Sequence, residues 1–334
     1  MIIEYLGKTL NTEHYVPLTD EQYQQCIDEF YAKPDFNDVR RQILKLNKDG
    51  VRMNFITNYY FKPLMAKVRP EYTKWTVEEV LQSRDLMNYF YSKTLGGSSI
   101  FKPHMSIMHN IDTAIRLGGK GVARLPTNFP LDAANNILDK YNVNNVYLDY
   151  SCGWGVRLTS ALKHNIDYCG YEPNYLLVDK LNEYAADYTH ITGSKSKVDI
   201  RCLGSQNYVE DWLGKIGVAF SSPPYFNLED YCIGDQSYKP GITYNDWLEN
   251  YLRPTIKNIK LYLVWGGYFI INIKNTKKYP MATDAQRIAA EEGFTLVATE
   301  PVVNIKRINC KTTLNDNDEL CYVFQEKEYI NEKN

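Results

Sequence analysis

The stretch Asn145-Val146-Tyr147-Leu148-Asp149-Tyr150-Ser151-Cys152-Gly153-Trp154-Gly155 decides the fold of this chain. It predicts a buried strand that ends in an aspartate and runs into a glycine loop, followed by a helix over residues 156–163. Gly153 and Gly155 let the backbone come close to a ligand at the helix N-terminus. The third glycine of the dinucleotide-binding pattern is replaced by Leu158. The loop is therefore not typical of a site for a nucleotide pyrophosphate.

A second strand, predicted over residues 167–171, ends at Glu172-Pro173-Asn174. A carboxylate about 20 residues beyond the glycines can accept hydrogen bonds from both hydroxyls of a ribose. A ribose without a phosphate fits S-adenosylmethionine better than NAD, and Asp149 is then a natural partner for the α-amino group. The third strand ends near Ser205. We expect the adenine to lie near Tyr171, Pro173 and Ser205.

The fourth strand, predicted over residues 216–221, runs into Ser222-Pro223-Pro224-Tyr225, a segment that we call the ledge. Proline has no N–H and holds the residue before it extended, so the strand must stop here with free carbonyl groups at its end. Free acceptors beside the ring of Tyr225 suit a planar base that carries an exocyclic amine. A double proline can also simply end a strand, and this segment alone leaves both interpretations open.

From about residue 120 onwards, short apolar runs alternate with helical patterns, which is typical of a parallel α/β sheet. We predict a doubly wound sheet that ends in an antiparallel hairpin. Its seven strands are expected over residues 145–150, 167–171, 198–203, 216–221, 268–273, 294–303 and 319–325. A helix from Asn245 to about Val264, ended by Gly266 and Gly267, is expected before the fifth strand. Residues 1–115 are predicted to be a mainly helical region, with one helix that is capped by Thr19 or Asp20 and runs through Tyr31, and another that is capped by Thr76 and runs to about Tyr91. The expected domains are therefore 1–115 and 116–326, with a C-terminal tail at 327–334.

Composition and charge limit the classes of protein that this chain can belong to. Of its 334 residues, 44% are hydrophobic and 23% charged, which is ordinary for a soluble globular protein. Its seven cysteines form no Cys-x-x-Cys pair, so neither disulfides nor a zinc site is expected. Without an apolar run of membrane-spanning length or a signal peptide, we expect a cytoplasmic protein with no membrane partner. The net charge of −2 allows only a local basic face.

The conjunction of Asp149, the glycine loop, Glu172 and the ledge resembles the DNA amino-methyltransferases of bacteria and phages, which modify adenine N6 or cytosine N4. The resemblance covers residues 120 to about 326. It includes residues 125–131, which are similar to the family segment His-Pro-Thr-x-Lys-Pro-Leu, although Leu125 and Phe129 replace its His and Lys. It implies the Rossmann-like fold of class I S-adenosylmethionine-dependent methyltransferases. The implied cofactor-binding residues are Pro126, Thr127, Pro130, Asp149, Ser151, Cys152, Gly153, Gly155, Glu172, Pro173 and Ser205.

The same resemblance implies that the ledge carries the chemistry, through Ser222, Pro223, Pro224 and Tyr225. Hydrogen bonds from the target amine to the Ser222 side chain and a proline carbonyl would localise the nitrogen lone pair for direct attack on the methyl group. The base must leave the duplex, and stacking on Tyr225 would offset part of that cost. Further contacts with the base are expected from Phe226, Asn227 and Tyr231, although Phe226 can equally be a core residue.

The implied partner is double-stranded DNA, and the helical region is expected to recognise DNA or to assemble the protein as a homodimer. Basic residues that can contact phosphates, or can equally form a solvated face, are Lys257, Lys260, Lys274, Lys277, Lys278, Lys306, Arg307 and Lys311. Serine before the two prolines slightly favours cytosine N4 over adenine N6. Two alternatives stay open: the same chemistry on RNA or a small molecule, and a non-catalytic nucleic-acid-binding module on the same fold.

Overall fold

The computed structural model describes residues 2–5, 8–11, 15–46, 52–70, 73–95, 102–117, 123–227, 229–231, 236–302 and 319–333. The chain divides into two compact units. The first comprises Met1–Pro34, Lys62–Thr127 and Leu228–Cys232, and the second comprises Asp35–Phe61, Asn128–Asn227 and Ile233–Asn334. This division differs from the predicted boundary near residue 115, since 35–61 belong to the second unit. Within the described ranges, no helix has the length and apolarity that crossing a membrane requires.

The chain up to residue 117 opens with an antiparallel hairpin, which the sequence did not predict, and continues with the expected helices. The elements are β1 (Ile2–Tyr5), β2 (Lys8–Asn11), α1 (Asp20–Tyr31), α2 (Phe36–Lys45), α3 (Asn54–Ile56), a π-helical turn (Thr57–Phe61), α4 (Lys62–Met65), α5 (Val77–Gln82), α6 (Arg84–Leu95) and α7 (Ile107–Leu117). Thr19 caps α1 and Thr76 caps α5, as predicted. The helix expected to run from Thr76 to about residue 91 is instead divided at Ser83, whose backbone is extended.

The first unit has its own apolar core, formed mainly where α1, α5, α6 and α7 face one another. Phe30, Leu86, Phe90 and Ile111 lie at its centre and are almost fully buried. Buried side chains at helical spacing on several helices are the usual basis of a helical domain. The helices of the first unit therefore form the mainly helical region that the sequence predicts.

The rest of the chain alternates strands and helices, as the apolar pattern predicts. The elements are α8 (Leu131–Tyr141), β3 (Val146–Asp149), α9 (Val156–Lys163), β4 (Asp167–Tyr171), α10 (Tyr175–Thr192), β5 (Val198–Arg201), a 3₁₀ turn (Glu210–Trp212), β6 (Ile216–Ser221), α11 (Tyr244–Trp247), a π-helical turn (Leu248–Leu252), α12 (Arg253–Tyr262), β7 (Leu263–Ile273), α13 (Met281–Glu291), β8 (Phe294–Pro301), β9 (Leu320–Glu326) and α14 (Lys327–Lys333).

The seven strands β3 to β9 form one sheet in the order β5-β4-β3-β6-β7-β9-β8. All neighbours are parallel except β9, which lies antiparallel between β7 and β8. This order is that of the Rossmann-like class I S-adenosylmethionine-dependent methyltransferase fold. The chain reverses its direction of winding between β3 and β6, and the carboxyl ends of strands at such a switch point are where open α/β sheets bind ligands.

Within the second unit, α2 and the π-helical turn Thr57–Phe61 pack on α10. The Tyr60 hydroxyl donates to Asp187 Oδ2 on α10 at 2.6 Å. The rings of Tyr60 and Phe61 also lie against Tyr184, with centroids 5.2 and 6.2 Å away. These contacts join residues far apart in sequence, and for that reason the apolar pattern could not assign this segment to a unit.

Strands β4 and β6 and helix α9 have the predicted bounds, but β7 is longer than predicted. It begins at Leu263 instead of residue 268 and contains Gly266 and Gly267, which were expected to separate a helix from the strand. Position 217 in β6 must be glycine for packing. A Cβ atom there would lie 1.5 Å from the Val143 carbonyl oxygen, so only glycine lets this backbone approach the segment that precedes β3.

Candidate active site

The glycine loop between β3 and α9 has the backbone that the sequence predicts. Gly153 has φ +55° and Gly155 has φ +73°, values that L-residues with side chains rarely adopt. Gly155 is also needed for packing, since a Cβ atom there would approach the Phe61 ring to 3.1 Å. The Cys152 N–H donates to the Tyr171 carbonyl at 3.0 Å, and its thiol is buried. Cys152 can therefore contribute backbone, but not its side chain, to a ligand site.

Glu172 directly follows β4, at the same edge of the sheet as the glycine loop. Its carboxylate accepts the Asn174 N–H at 2.9 Å. Burial raises the pKa of Glu172 to about 7, although hydrogen bonds from the Asn174 and Gly153 backbones act in the opposite direction. The carboxylate thus links the glycine loop to the end of the second strand, which is the position that a ribose-binding residue needs. Pro173 is half-buried beside it.

The raised pKa of Glu172 predicts a pH-dependent stability. Because the pKa of Glu172 in the folded protein lies above the ordinary value of 4.5 for a glutamate, its contribution to stability is fully present below about pH 4.5 and is lost as pH rises through about 7. We expect Glu172→Gln to remove this loss, so that the variant becomes more stable than the wild type by up to about 3 kcal/mol near pH 8. Urea unfolding of both proteins across this pH range measures the difference. A constant difference at all pH values would contradict the expected titration.

Asp149, the last residue of β3, is completely buried and already has protein partners on both oxygens. Oδ2 lies 3.0 Å from Arg157 Nε and accepts the Tyr168 hydroxyl at 3.0 Å. Oδ1 accepts the Ser221 hydroxyl at 2.7 Å. The structure therefore contradicts the expectation that Asp149 meets the α-amino group of a cofactor. Its carboxylate instead connects α9, β4 and the end of β6.

Arg157 is the partner that sequence reasoning missed. It is 6% exposed, and its guanidinium also donates to the carbonyl of Ser151 in the glycine loop. Burial lowers the pKa of Arg157, but Asp149, Tyr147 and Tyr168 together raise it more, so the net pKa lies above its ordinary value. The sequence does contain a signal for this buried partner, because Arg157 is the one charged residue in a helix segment, 156–162, that is otherwise apolar or small. A charge at such a position needs a buried partner of opposite sign.

Most of the residues expected around an adenine are buried and form hydrogen bonds within the protein. Tyr171 is 1% exposed, and its hydroxyl donates to the Asn207 carbonyl at 2.7 Å. Its ring packs edge-on against Trp212, so it offers no free face for stacking, contrary to expectation. The Ser205 hydroxyl lies 2.9 Å from that of Thr255 and is also buried.

Tyr251 is a further residue that the sequence did not identify. It is buried, and its hydroxyl lies 3.5 Å from Ser151 Oγ in the glycine loop. Burial raises the pKa of Tyr251 to about 12, while hydrogen bonds with Ser151 and Ser205 oppose that effect. Tyr251 thus joins the glycine loop to the end of the third strand. Its signal was hidden because it belongs to a π-helical turn inside a helix predicted to be regular.

The ledge follows β6 directly, at the carboxyl end of the strand beside β3. The Ser222 hydroxyl donates to Asn272 Oδ1 on β7 at 2.8 Å. The Tyr225 hydroxyl accepts the Lys274 N–H at 3.0 Å, which fixes the half-buried ring at the end of β7. Among the described residues, none donates a hydrogen bond to the carbonyl groups of Pro223 and Pro224. The ledge therefore keeps the acceptors that the sequence predicts.

Phe226 is a core residue, which corrects its expected contact with a substrate. It is 3% exposed, and its ring packs edge-on against Tyr238 and Tyr279 with centroids 5.1 and 5.0 Å away. Asn227 is exposed and has φ +55°, so it forms the turn that leaves the ledge.

The remaining predicted site residues are divided between the two units. Pro126, Thr127 and Tyr231 belong to the first unit, where the Tyr231 hydroxyl donates to Glu229. Pro130 belongs to the second unit and is the N-cap residue of α8, which begins at Leu131. Only Pro130 of these four therefore shares a unit with the glycine loop and the ledge.

The predicted basic residues fall into three groups. Lys274, Lys277 and Lys278 follow β7 at the ledge end of the sheet, are exposed, and form no ion pair with any described acidic residue. Lys257 and Lys260 instead interact with Glu292, through its side chain at 3.9 Å and its carbonyl at 3.1 Å. Lys306, Arg307 and Lys311 lie outside the described residues.

No protein-family model matches the chain, and no curated protein is similar to it at a significant level. Several solved methyltransferase structures are similar to it. A TehB-like SAM-dependent methyltransferase from Corynebacterium glutamicum is 15% identical, with a TM-score of 0.40 over 58% of this chain and 88% of that one. The glycopeptide N-methyltransferase MtfA is 10% identical, with a TM-score of 0.43 over 59% and 87%. An rRNA methylase from Streptococcus thermophilus is 13% identical, with a TM-score of 0.38 over 60% and 98%. Because these TM-scores are below 0.5, the fold assignment depends on the strand order.

Proposed function

We propose that this protein transfers a methyl group from S-adenosylmethionine to an exocyclic amine of a base in DNA. The observation that supports this most strongly is the ledge. Ser222 and the Pro223 carbonyl present hydrogen-bond acceptors at the end of β6, next to the strand that carries the glycine loop. An amine that is conjugated to an aromatic ring is a poor nucleophile, and such acceptors can draw its N–H groups out of the ring plane.

The residues present fit the ribose of this cofactor. Gly153 and Gly155 open the backbone at the N-terminus of α9, and Glu172 offers a carboxylate at the end of β4 for ribose hydroxyls. The α-amino group needs a partner other than Asp149, whose oxygens are occupied. When bound, S-adenosylmethionine supplies an electrophilic methyl carbon whose bond to sulfur breaks as the new bond to nitrogen forms.

The contribution of the protein is to hold and orient the amine. Ser222 Oγ and the Pro223 carbonyl accept one N–H each, and the ring of Tyr225 supports the face of the base. Water takes the proton that the amine nitrogen loses. Correct placement of two reactants can supply most of such a rate enhancement, so no covalent intermediate with the enzyme is required.

A polymeric, anionic substrate is favoured by Lys274, Lys277 and Lys278. These exposed cations lie on the segment that follows β7, whose first N–H binds the Tyr225 hydroxyl. Lysines that contact phosphates add affinity without sequence preference. A base that is part of a duplex must be flipped out to reach the ledge. We propose cytosine N4 as slightly preferred over adenine N6, because serine precedes the two prolines.

We expect the variant in which Lys274, Lys277 and Lys278 are all changed to alanine to bind DNA more weakly whatever its sequence. If all three contact phosphates, the slope of log affinity against log salt concentration becomes shallower by about 2.7. Fluorescence anisotropy with duplex DNA at several salt concentrations measures this slope. Lys257→Ala is the matched control, since Lys257 is paired with Glu292. An unchanged slope in the triple variant would place the DNA elsewhere.

Incubation of the purified protein with labelled S-adenosylmethionine and unmodified duplex DNA, RNA or neither tests the substrate class. We expect label in DNA. Label in RNA alone would favour an RNA methyltransferase. Cofactor binding without transfer to DNA of any sequence would favour a small-molecule substrate or a non-catalytic role.

A further inference from the structure

The orientation of the Asn272 side-chain amide is determined by its two neighbours. Asn272 lies in β7, is completely buried, and follows Ile271, which pairs with Ser221 of β6. The register therefore puts Asn272 level with Ser222. Its Nδ2 lies 3.1 Å from the carbonyl oxygen of Leu320 on β9. A carbonyl oxygen can only accept, so the amide nitrogen must face Leu320 and Oδ1 must face Ser222.

This orientation decides what the Ser222 hydroxyl can do. An amide oxygen only accepts, so Ser222 must donate its single proton to Asn272 Oδ1, at 2.8 Å. The two lone pairs of Ser222 Oγ are then left for another group. Such a hydroxyl can accept a hydrogen bond but has no proton to give.

Ser221, the neighbouring residue, is held in the same way on the other side of the strand. Its hydroxyl donates to Asp149 Oδ1 on β3 at 2.7 Å, and it is completely buried. Strand β6 lies between β3 and β7, so consecutive serines donate to acceptors on opposite flanking strands. Ser221 is buried behind the ledge, whereas Ser222 is partly exposed. Only Ser222 can therefore offer its lone pairs to a ligand.

We infer that Asn272 is a positioning residue that keeps Ser222 an obligate acceptor, so that the group bound at Ser222 must donate a hydrogen bond, as an exocyclic amine does. This inference rests on the proposed methyl transfer and narrows its substrate. A carbonyl oxygen or an unprotonated ring nitrogen at this place would be repelled, because its lone pair would face a lone pair of Ser222 Oγ. An amine that still has hydrogens matches the acceptor.

Replacing Asn272 by Ala or by Asp tests whether the Ser222 proton needs an acceptor here. Asn272→Ala removes both hydrogen bonds of the amide. Asp keeps an oxygen for the Ser222 proton, and its carboxyl, which burial protonates, can donate to Leu320. We expect Asn272→Ala to lower the single-turnover rate of methyl transfer to duplex DNA by roughly 100-fold, because Ser222 is then free to turn. Asn272→Asp should stay within about tenfold of the wild type. Asn272→Leu, which is close in volume, gives the same comparison if the alanine variant does not fold.

A double-mutant cycle on the rate of methyl transfer distinguishes a positioning role of Asn272 from a merely structural one. Adding Asn272→Ala to Ser222→Ala should lower the rate no further, because the two residues act through one hydroxyl. The dissociation constant of sinefungin should stay unchanged in every variant. Asn135→Ala is the matched control, since its Oδ1 accepts the Ser160 hydroxyl at 2.8 Å between α8 and α9. It should lower the melting temperature without changing the rate.

Three outcomes are distinguishable. Equal losses of rate for the Ala and Asp variants, or additive losses in the cycle, would overturn the role of Asn272 while leaving methyl transfer intact. A wild-type protein that methylates no DNA would overturn the proposed function and this inference with it. A loss confined to the variants that lack an acceptor, and absent in the Ser222→Ala background, supports the inference.

Discussion

Ser222→Ala is expected to abolish methyl transfer, with a loss of at least about 100-fold in the single-turnover rate. The change removes the Ser222 hydroxyl, which donates to Asn272 and leaves its lone pairs for a ligand. It does not alter the Pro223 carbonyl or the ring of Tyr225. The glycine loop and Glu172 are untouched, so cofactor affinity should not change. Rates with labelled S-adenosylmethionine and duplex DNA, together with calorimetric titration of sinefungin, measure the two effects separately.

Ser196→Ala is the matched control for this prediction. Ser196 is also partly buried and hydrogen-bonded, but it lies before β5, at the opposite end of the sheet. It should retain the wild-type rate. A Ser222→Ala protein that is fully active would show that the amine is oriented by other groups, and a loss of cofactor affinity would show that Ser222 belongs to the cofactor site.

The second large effect is expected from Asp149→Asn, which keeps the shape of the side chain but removes its charge. Arg157 would then be left buried without an opposite charge, since its side chain is only 7% exposed. Removing one member of a buried ion pair costs about 3–5 kcal/mol. Urea unfolding should show a decrease of that size in the free energy of unfolding.

Two further proteins test the cause of that decrease. Glu183→Gln removes a carboxylate from the exposed pair with Lys180 on α10, and should cost less than about 1 kcal/mol. Adding Arg157→Met to Asp149→Asn should recover part of the loss, because the buried charge is gone. A small effect of Asp149→Asn would mean that water or another residue compensates Arg157.

Much of the fold follows from local patterns. The strands β4 and β6 are short apolar runs closed by Glu172 and by two prolines, and α9 follows glycines, so their bounds were predictable to the residue. The start of β7 was missed because residues 263–267 contain two glycines that usually mark a turn. The packing of α2 and the π-helical turn Thr57–Phe61 on α10, and the pairing of β1 with β2, depend on contacts between residues that the apolar pattern of the sequence does not reveal.

The site was predicted in outline but not in its hydrogen bonds. Glycines, a carboxylate and a double proline mark where backbone and acceptors must lie, because their conformational demands are local. Which partner a polar side chain takes depends on strand register. Asp149 was expected to bind a ligand and instead binds Arg157, and Asn272, which orients Ser222, has no signal in its own segment.

Methylation of an exocyclic amine in DNA can be detected by a complete nucleoside digest. Duplex DNA is incubated with the protein and S-adenosylmethionine, digested completely, and analysed by mass spectrometry against nucleoside standards. We predict N4-methylcytosine or N6-methyladenine, absent from the Ser222→Ala sample. A methyl group on carbon, as in 5-methylcytosine, or on a ring nitrogen, or no methylated nucleoside at all, would contradict the account.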